Sequence, residues 1–185
     1  MKKHILQAIL FGICLVLLNI DAYSQTKLLQ FPNSSQTEIT FSYAGDIFTV
    51  PISGGIARRI TTSSGVESFP RFSPDGKTIA FIGNYDGNNE IYTIPNIGGE
   101  PNRLTYGVDL PNLPERMGPD KIIMQWTKDG KKILYRGRQD TWNSLVGNLY
   151  YVSVDGSLPE ILPLPKSGFA SLSPDETKIA YNRIY

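Results

Sequence analysis

Residues 72–81 read FSPDGKTIAF, and this stretch decides the fold because it returns along the chain. It recurs as WTKDGKKILY at 126–135 and as LSPDETKIAY at 172–181, and a shorter copy opens with FPN at 31–33 and continues into ITF at 39–41. Equivalent isoleucines at positions 39, 79, 133 and 179 give spacings of 40, 54 and 46 residues. Repetition at this period indicates an array of small units, each of which buries its apolar face against a neighbour.

Each unit contains four short apolar stretches separated by turn residues. In the clearest copy these stretches are residues 68–72, 78–82, 90–94 and 102–105. They are about five residues long and rich in Ile, Phe, Tyr and Thr, which is typical of strands. Pro74-Asp75-Gly76 predicts a tight turn, because Pro presets φ, Asp bonds nearby amides and Gly accepts a positive φ. No stretch after residue 24 shows a sustained helical period, so we predict an all-β chain.

Four antiparallel strands in each repeat favour a β-propeller blade over a β-sandwich, which has no reason to repeat its turn at a fixed phase. The predicted blades span residues 26–64, 65–106 and 107–168, followed by a half-blade at 169–185. A half-blade would leave unpaired backbone exposed, so we expect an incomplete propeller that forms the N-terminal piece of a longer protein. The aromatic residue that ends each second strand should pack between blades; these residues are Phe41, Phe81, Tyr135 and Tyr181.

Residues 1–24 predict a cleaved secretory signal peptide, with an uncleaved anchor as the alternative. Lys2 and Lys3 precede an apolar run at 5–18, and residues 22–24 (AYS) supply small side chains for a signal peptidase. Cleavage would leave 16 basic and 16 acidic side chains. This balance argues against nucleic acid as a partner, and no membrane span is expected after cleavage. We therefore predict a periplasmic or secreted protein.

The composition of residues 25–185 excludes several kinds of catalytic site. The only histidine, His4, and the only cysteine, Cys14, both lie in the predicted signal peptide. Without an imidazole or a thiol, the remaining chain cannot form a Ser-His-Asp or Cys-His arrangement or a His/Cys zinc site. Residues 84–90 (NYDGNNE) are rich in oxygen ligands, but a polar hairpin explains them without calcium. We predict that this chain is not an enzyme and that it has no catalytic residue, metal or cofactor.

One loop carries the candidate recognition residues. Between two predicted strands of the third blade, residues 136–144 read RGRQDTWNS. The guanidinium groups of Arg136 and Arg138 and the indole of Trp142 suit recognition of a peptide carboxylate or a partner chain. The alternative is structural, with Trp142 covering a neighbouring blade and Arg138 paired with Asp140.

The repeats resemble those of a known family. The stretch at 72–81 resembles the WD-like repeats of TolB and of the N-terminal propeller of tricorn-type proteases. Residues 117–126 (MGPDKIIMQW), 147–156 (GNLYYVSVDG) and 168–175 (GFASLSPD) are similar to secreted bacterial tricorn homologues. The resemblance covers residues 26–185. The start of the chain favours tricorn over TolB. TolB-like proteins place a small α/β domain between the signal peptide and the propeller, whereas the predicted first blade here begins at residue 26, directly after the predicted signal peptide.

The resemblance implies a large multidomain serine peptidase, with a six-bladed propeller, a second propeller, a PDZ-like domain and a catalytic region downstream. In that family the propellers gate the passage of peptides, so the implied partners are peptide or protein substrates and the downstream domains. The family's catalytic residues lie in the downstream region, and none can be transferred to this chain. The founding tricorn proteases are cytosolic, whereas this chain carries a predicted export signal. A TolB-like interaction propeller and the propeller of a prolyl-oligopeptidase-like peptidase remain alternatives.

Overall fold

The computed structural model describes residues 28–107, 120–138 and 147–183, and every regular element in these ranges is a β-strand. Blade one contains β1 (Gln30–Ser34), β2 (Glu38–Tyr43), β3 (Asp46–Pro51) and β4 (Arg58–Arg59). Blade two contains β5 (Glu67–Phe72), β6 (Thr78–Asn84), β7 (Asn89–Pro95) and β8 (Asn102–Arg103). Blade three contains β9 (Lys121–Trp126), β10 (Lys132–Gly137), β11 (Asn148–Ser153) and β12 (Glu160–Ile161). Blade four contains β13 (Ser167–Leu172) and β14 (Ile179–Arg183).

Each sheet is an antiparallel meander in which consecutive strands are neighbours. Blades one to three have four strands each, and blade four has two in the described residues. The predicted all-β fold with four-stranded antiparallel blades is thereby confirmed. β13 begins at Ser167, whereas the half-blade was predicted to begin at residue 169, because a bulge separates Ser167 from the apolar run that revealed this strand in the sequence. The predicted signal peptide lies outside the described residues, and no helix within them is long and apolar enough to cross a membrane.

The repeated turn has the structure that its sequence predicts. The Ser73 hydroxyl donates to Asp75 Oδ1 at 2.6 Å, and the Lys77 amide donates to the same oxygen at 3.1 Å. These hydrogen bonds lower the pKa of Asp75. Gly76 has a φ of 70°, which few other residues adopt readily. The same carboxylate-centred turn recurs around Asp129 and Asp175.

The apolar core lies between the blades. One cluster joins blades one and two and includes Ile47, Ile60 and Phe81; another joins blades two and three and includes Ile82 and Tyr135. Phe81 and Tyr135 are both fully buried, which confirms the predicted position of the aromatic residue for these two blades. Each aromatic stacks on a ring directly across the hairpin, in the pairs Phe41–Phe48, Phe81–Tyr92 and Tyr135–Tyr150.

A bulge recurs in the first strand of every blade, which the sequence did not reveal. The register shifts between Gln30 and Asn33, between Ser68 and Arg71, opposite Leu134–Tyr135, and between Ser167 and Ala170. In blades one and two the bulge contains Phe31 and Phe69, both with a φ of 53°, and their ring centroids are 3.9 Å apart. Bulges bend a strand and increase its twist. Here they bring the first strands of neighbouring blades into contact.

Side chains at one repeat position connect these first strands. The position is occupied by Asn33, Arg71 and Gln125, which pair across their hairpins with Thr40, Ala80 and Leu134. Asn33 Oδ1 accepts the Phe72 amide of blade two at 2.8 Å, and Gln125 Oε1 accepts the Leu172 amide of blade four at 3.0 Å. Between blades two and three, Arg71 Nε donates to the Met124 carbonyl, and the Trp126 indole donates to the Arg71 carbonyl. A side-chain hydrogen bond therefore joins each blade to the next.

We expect Asn33→Ala to destabilise the chain by about 1–3 kcal/mol, because the amide of the buried Phe72 would lose its acceptor. Chemical denaturation would measure the loss, and hydrogen exchange should show faster exchange at the Phe72 amide. Gln36→Ala, at an exposed position in the adjacent turn, is the control and should change stability by less than about 0.5 kcal/mol. Equal stability of the two variants would contradict a role for Asn33 in joining the blades.

Candidate functional site

Arg136 and Arg138, two of the predicted recognition residues, lie at one end of the sheets, which we call the loop face. It comprises the described residues of the connections between second and third strands, which are 44–45, 85–88, 138 and 147, and those of the connections between blades, which are 60–66, 104–107, 120 and 162–166. The opposite end, the turn face, carries the repeated turns at 73–77, 127–131 and 173–177. The two faces are distinct because alternate connections in an antiparallel meander leave from opposite ends.

A buried carboxylate lies at the loop face between blades one and two. Glu67, the first residue of β5, is only 1% exposed. Thr61 Oγ1 donates to it at 3.0 Å and Ser63 Oγ at 2.5 Å, while Thr61 Oγ1 also accepts the Ile47 amide. Burial raises the pKa of Glu67, and the nearby Asp46 carboxylate adds to this effect. The site therefore favours a protonated carboxyl group more than water does.

A groove opens beside Glu67. It has a volume of about 280 Å³, and Glu67 lines it together with Leu28, Ser42 and Val66. Leu28 and Val66 are exposed, whereas Ser42 is buried and its hydroxyl has no hydrogen-bond partner among the described residues. The groove thus combines an apolar rim with polar groups at depth, a composition common in small binding sites.

The next junction, between blades two and three, holds a buried ion pair. Glu90 is fully buried and lies 3.3 Å from Lys121 Nζ and 3.4 Å from the Arg103 guanidinium. It also accepts hydrogen bonds from the Thr105 hydroxyl and, at 2.5 Å, from the Gly107 amide. Two cations and two neutral donors therefore surround this carboxylate.

Both junctions contain a buried carboxylate and an equivalent threonine, but the carboxylate comes from a different blade position in each. Thr61 and Thr105 are equivalent, since each accepts an amide of the third strand of its own blade, from Ile47 and from Ile91. Lys121 occupies the repeat position of Glu67, because each is the first residue of its strand and pairs with a glycine across the hairpin. The carboxylate comes from the following blade at the first junction and from the preceding blade at the second.

Two of the three predicted recognition residues lie in the described part of the loop face. Arg136 is in β10 rather than in the loop, and Arg138 follows this strand directly. Arg138 is 3% exposed, and its guanidinium lies 3.1 Å from the Asp120 carboxylate. Burial, with a contribution from Arg138, lowers the pKa of Arg136. Trp142 and Asp140 lie outside the described residues, so the recognition role of this set stays a prediction.

The oxygen-rich stretch at 84–90 forms the hairpin between β6 and β7. Asp86 pairs with Arg103 at 2.5 Å, and the Asn84 side chain accepts the Gly87 amide. Among residues 28–107, 120–138 and 147–183, no three His, Cys, Asp or Glu side chains are grouped to hold a metal ion. Sequence reasoning missed Glu67, Glu90 and Lys121. The sequence feature that could have identified them is a charged residue next to a strongly apolar predicted strand.

Glu67→Gln should remove a pH dependence of stability while keeping a side chain that can bond Thr61 and Ser63. Because the folded chain raises the pKa of Glu67 above its ordinary value of 4.5, the folded state holds this proton to higher pH than the unfolded state. The free energy of unfolding of the wild type should therefore fall as pH rises above 4.5, by at most about 1.4 kcal/mol per pH unit. Urea denaturation between about pH 4 and pH 8, roughly the range over which a buried carboxyl group titrates, would measure this pH dependence of the free energy of unfolding. Glu67→Gln should lack the fall and the exposed control Glu100→Gln should keep it; identical profiles for wild type and Glu67→Gln would contradict the account.

Lys121→Met should cost about 3 kcal/mol of stability, because it leaves a buried carboxylate with one of its two cations removed. The double variant Glu90→Gln/Lys121→Met should recover much of this loss, since no buried charge then lacks its partner. Thermal and chemical denaturation of the two single variants and the double variant would give the coupling energy. Simple additivity of the two single effects would show that the pair is not coupled.

Comparison with known proteins agrees with this architecture. Residues 26–185 match the family described as the tricorn protease N-terminal beta propeller domain. Tricorn protease homolog 1 of Streptomyces coelicolor is 29% identical over 103 residues, which cover 56% of this chain and 9% of that protein.

Two solved structures share the fold. The crystal structure of the tricorn protease superposes with a TM-score of 0.66 and 23% identity, covering 80% of this chain and 14% of the other. A structure assigned as TolB from Agrobacterium tumefaciens gives a TM-score of 0.69 and 22% identity, covering 84% of this chain and 54% of the other. The chain thus spans a small part of the tricorn proteins that it matches. The repeated meander, the packing of its blades and the match over residues 26–185 show that this chain belongs to the tricorn protease N-terminal β-propeller family.

Proposed function

We propose that this chain is the non-catalytic propeller segment of a tricorn-like exported serine protease, and that it recognises or gates peptide substrates for a downstream catalytic domain. The observation that carries the proposal is the family match over residues 26–185. The matched Streptomyces protein is far longer than this chain, which leaves room there for the other domains that a multidomain peptidase needs.

The composition supports a non-catalytic role for this segment. Residues 25–185 contain no histidine and no cysteine, so no imidazole or thiol is available for nucleophilic catalysis. At the loop face the buried Glu90 pairs with Lys121 and Arg103, and the buried Glu67 accepts hydrogen bonds from Thr61 and Ser63. Such arrangements hold blades together rather than activate a nucleophile.

The proposed location is the periplasm or the cell exterior. The basic residues Lys2 and Lys3, the apolar run at 5–18 and the small residues at 22–24 have the order of a secretory signal peptide. The lack of cysteine after residue 24 suits an oxidising compartment, because no thiol is present to oxidise.

The loop face is the proposed recognition surface. It carries Arg136 and Arg138, which Trp142 follows closely in the sequence, and the groove beside Glu67 opens on the same face. Arginine and tryptophan are frequent anchors of peptide and protein recognition. A segment that only recognises substrate should affect binding more than turnover.

Peptide hydrolysis by the complete secreted protein tests both parts of the proposal. The full-length protein should cleave peptides, and the purified 185-residue chain should not. In the full-length protein, Trp142→Ala and Arg136→Gln should raise KM at least about fivefold with little change in kcat, because neither residue would touch the reacting atoms. Arg58→Gln, an arginine on the turn face, is the matched control.

Two outcomes would contradict the proposal. Hydrolysis by the 185-residue chain would overturn the non-catalytic assignment, and unchanged KM in both variants would remove the recognition role from the loop. Reading the coding sequence beyond codon 185 separates the candidate proteins. Further blades, a PDZ-like segment and a serine-peptidase core support the tricorn-like protease.

A TolB-type interaction propeller is the second candidate, favoured by the fold shared with the Agrobacterium structure. It requires a reading frame that ends soon after the last blade. The third candidate, a prolyl-oligopeptidase-like enzyme, requires a Gly-x-Ser-x-Gly motif in a following α/β-hydrolase domain.

A further inference from the structure

A pocket lies on the turn face between blades two and three, at the opposite end of the sheets from the proposed recognition surface. Its volume is about 400 Å³, within the range of small-ligand sites. We call it the turn-face pocket. The lining residues that matter here are Asp75, Thr93, Trp126, Lys128 and Asp129.

The junction at this pocket lacks a contact that bridges the next junction. Between blades three and four, the Glu176 carboxylate reaches back and accepts the Lys128 amide at 2.5 Å. The equivalent residues between blades two and three are Gly130 and Pro74. Glycine has no side chain to extend and proline has no N–H to donate, so the corresponding contact cannot form. The side-chain contact that Glu176 makes at one junction is therefore absent at the other.

Two carboxylates with unused oxygens line this space. Asp75 and Asp129 each accept their turn hydrogen bonds through Oδ1. No residue that the structure describes bonds to Oδ2 of either side chain. The turn hydrogen bonds lower the pKa of both groups, which keeps them ionised at neutral pH.

The hydroxyl of a largely buried threonine adds a third acceptor. Thr93 is 9% exposed and lines the pocket, yet its hydroxyl forms no hydrogen bond to the described residues. The Thr93 side chain is nine-tenths buried while its hydroxyl bonds to none of these residues, so the pocket is where a ligand or a water molecule reaches that hydroxyl. This observation is independent of the two carboxylates, because Thr93 belongs to β7 and not to a turn.

The lining also includes an apolar surface, in which a hydrogen bond fixes the orientation of the indole ring. The Trp126 indole N–H already donates to the Arg71 carbonyl at 2.9 Å, which holds the ring in place. Pro74 and Val154 complete the apolar surface. The described lining residues carry two carboxylates and one ammonium group, that of Lys128, while Lys77 and Lys131 lie near Asp75 and Asp129 outside the lining.

We propose that the turn-face pocket binds a primary ammonium group on an aliphatic stem, as found in a lysine side chain. An ammonium group has three donors, matching the free oxygens of Asp75, Asp129 and Thr93 in number. The methylene stem suits the surface of Trp126, Pro74 and Val154, against which lysine stems pack readily. The site does not depend on the proposed protease function, since it uses different residues on the opposite face.

Titration with Nα-acetyl-L-lysine methylamide tests the proposal. The Trp126 indole N–H signal of the purified chain, assigned with Trp142→Phe, would be followed by two-dimensional NMR. We expect a saturable shift that weakens with added salt. Nα,Nε-diacetyl-L-lysine methylamide, which has the same stem without the charge, should not saturate the site.

Two variants test the residues. Asp75→Asn/Asp129→Asn keeps oxygens that can accept the turn bonds and should weaken binding at least about tenfold, a change of about 1.4 kcal/mol. Gly130→Gln should abolish binding by filling the space, and Glu176 shows that a long side chain is tolerated at the equivalent position, where its φ is 58°. Asp175→Asn changes the same turn in blade four, outside the pocket, and should bind like the wild type.

The proposal is overturned if the lysine probe gives no saturable shift. It is also overturned if the diacetylated probe binds equally well, or if Gly130→Gln retains binding. Should the double aspartate variant fail to fold, the Gly130→Gln result decides, because that variant leaves both carboxylates and their hydrogen bonds in place.

Discussion

Contact between the flat faces of neighbouring sheets is the interaction on which this structure depends. A single four-stranded meander cannot bury both of its faces, and Phe81 is buried in a cluster that includes Ile47 of blade one and Ile60 of the connection that follows this blade. Tyr135 has the same relation to Ile82 of blade two. Apolar packing alone does not fix the relative position of two blades. The first strands fix it, because the side chains of Asn33 and Gln125 each accept a hydrogen bond from a backbone amide of the next blade. Apolar burial supplies most of the stabilisation, and the hydrogen bonds set the register of one blade against another.

The sequence predicted those parts of the fold that repeat locally. The turn around Asp75 and the burial of Phe81 follow from residue types at a fixed phase, and each is stabilised within one hairpin and its neighbour. The bulges of the first strands were missed because Phe31 and Phe69 look like ordinary strand residues, and their positive φ depends on the neighbouring blade. Local propensity carries no signal for a conformation that tertiary contacts impose.

The candidate site was less predictable than the fold for a related reason. The role of Glu67 depends on Thr61 and Ser63 of the preceding connection, and that of Glu90 on Lys121 of the following blade. Such groups meet only when blades assemble, and equivalent positions carry opposite charges at the two junctions. Arginines 136 and 138 were identified by residue type, but burial and the ion pair with Asp120 could be seen only in the structure. The two junctions likewise differ at the turn-face pocket, since Gly130 occupies the position that Glu176 occupies in the next blade.

Side-by-side packing of the blades can be measured directly in solution by nuclear Overhauser effects between methyl groups and aromatic rings. The account predicts contacts from the Phe81 ring to the Ile47 and Ile60 methyl groups, and from the Tyr135 ring to Ile82 and Leu104. Each of these contacts joins an aromatic ring of one sheet to a residue of the preceding sheet or of the connection that leaves it. Spectra in which both rings contact only residues of their own sheet would contradict the propeller arrangement and the assignment of this chain's role.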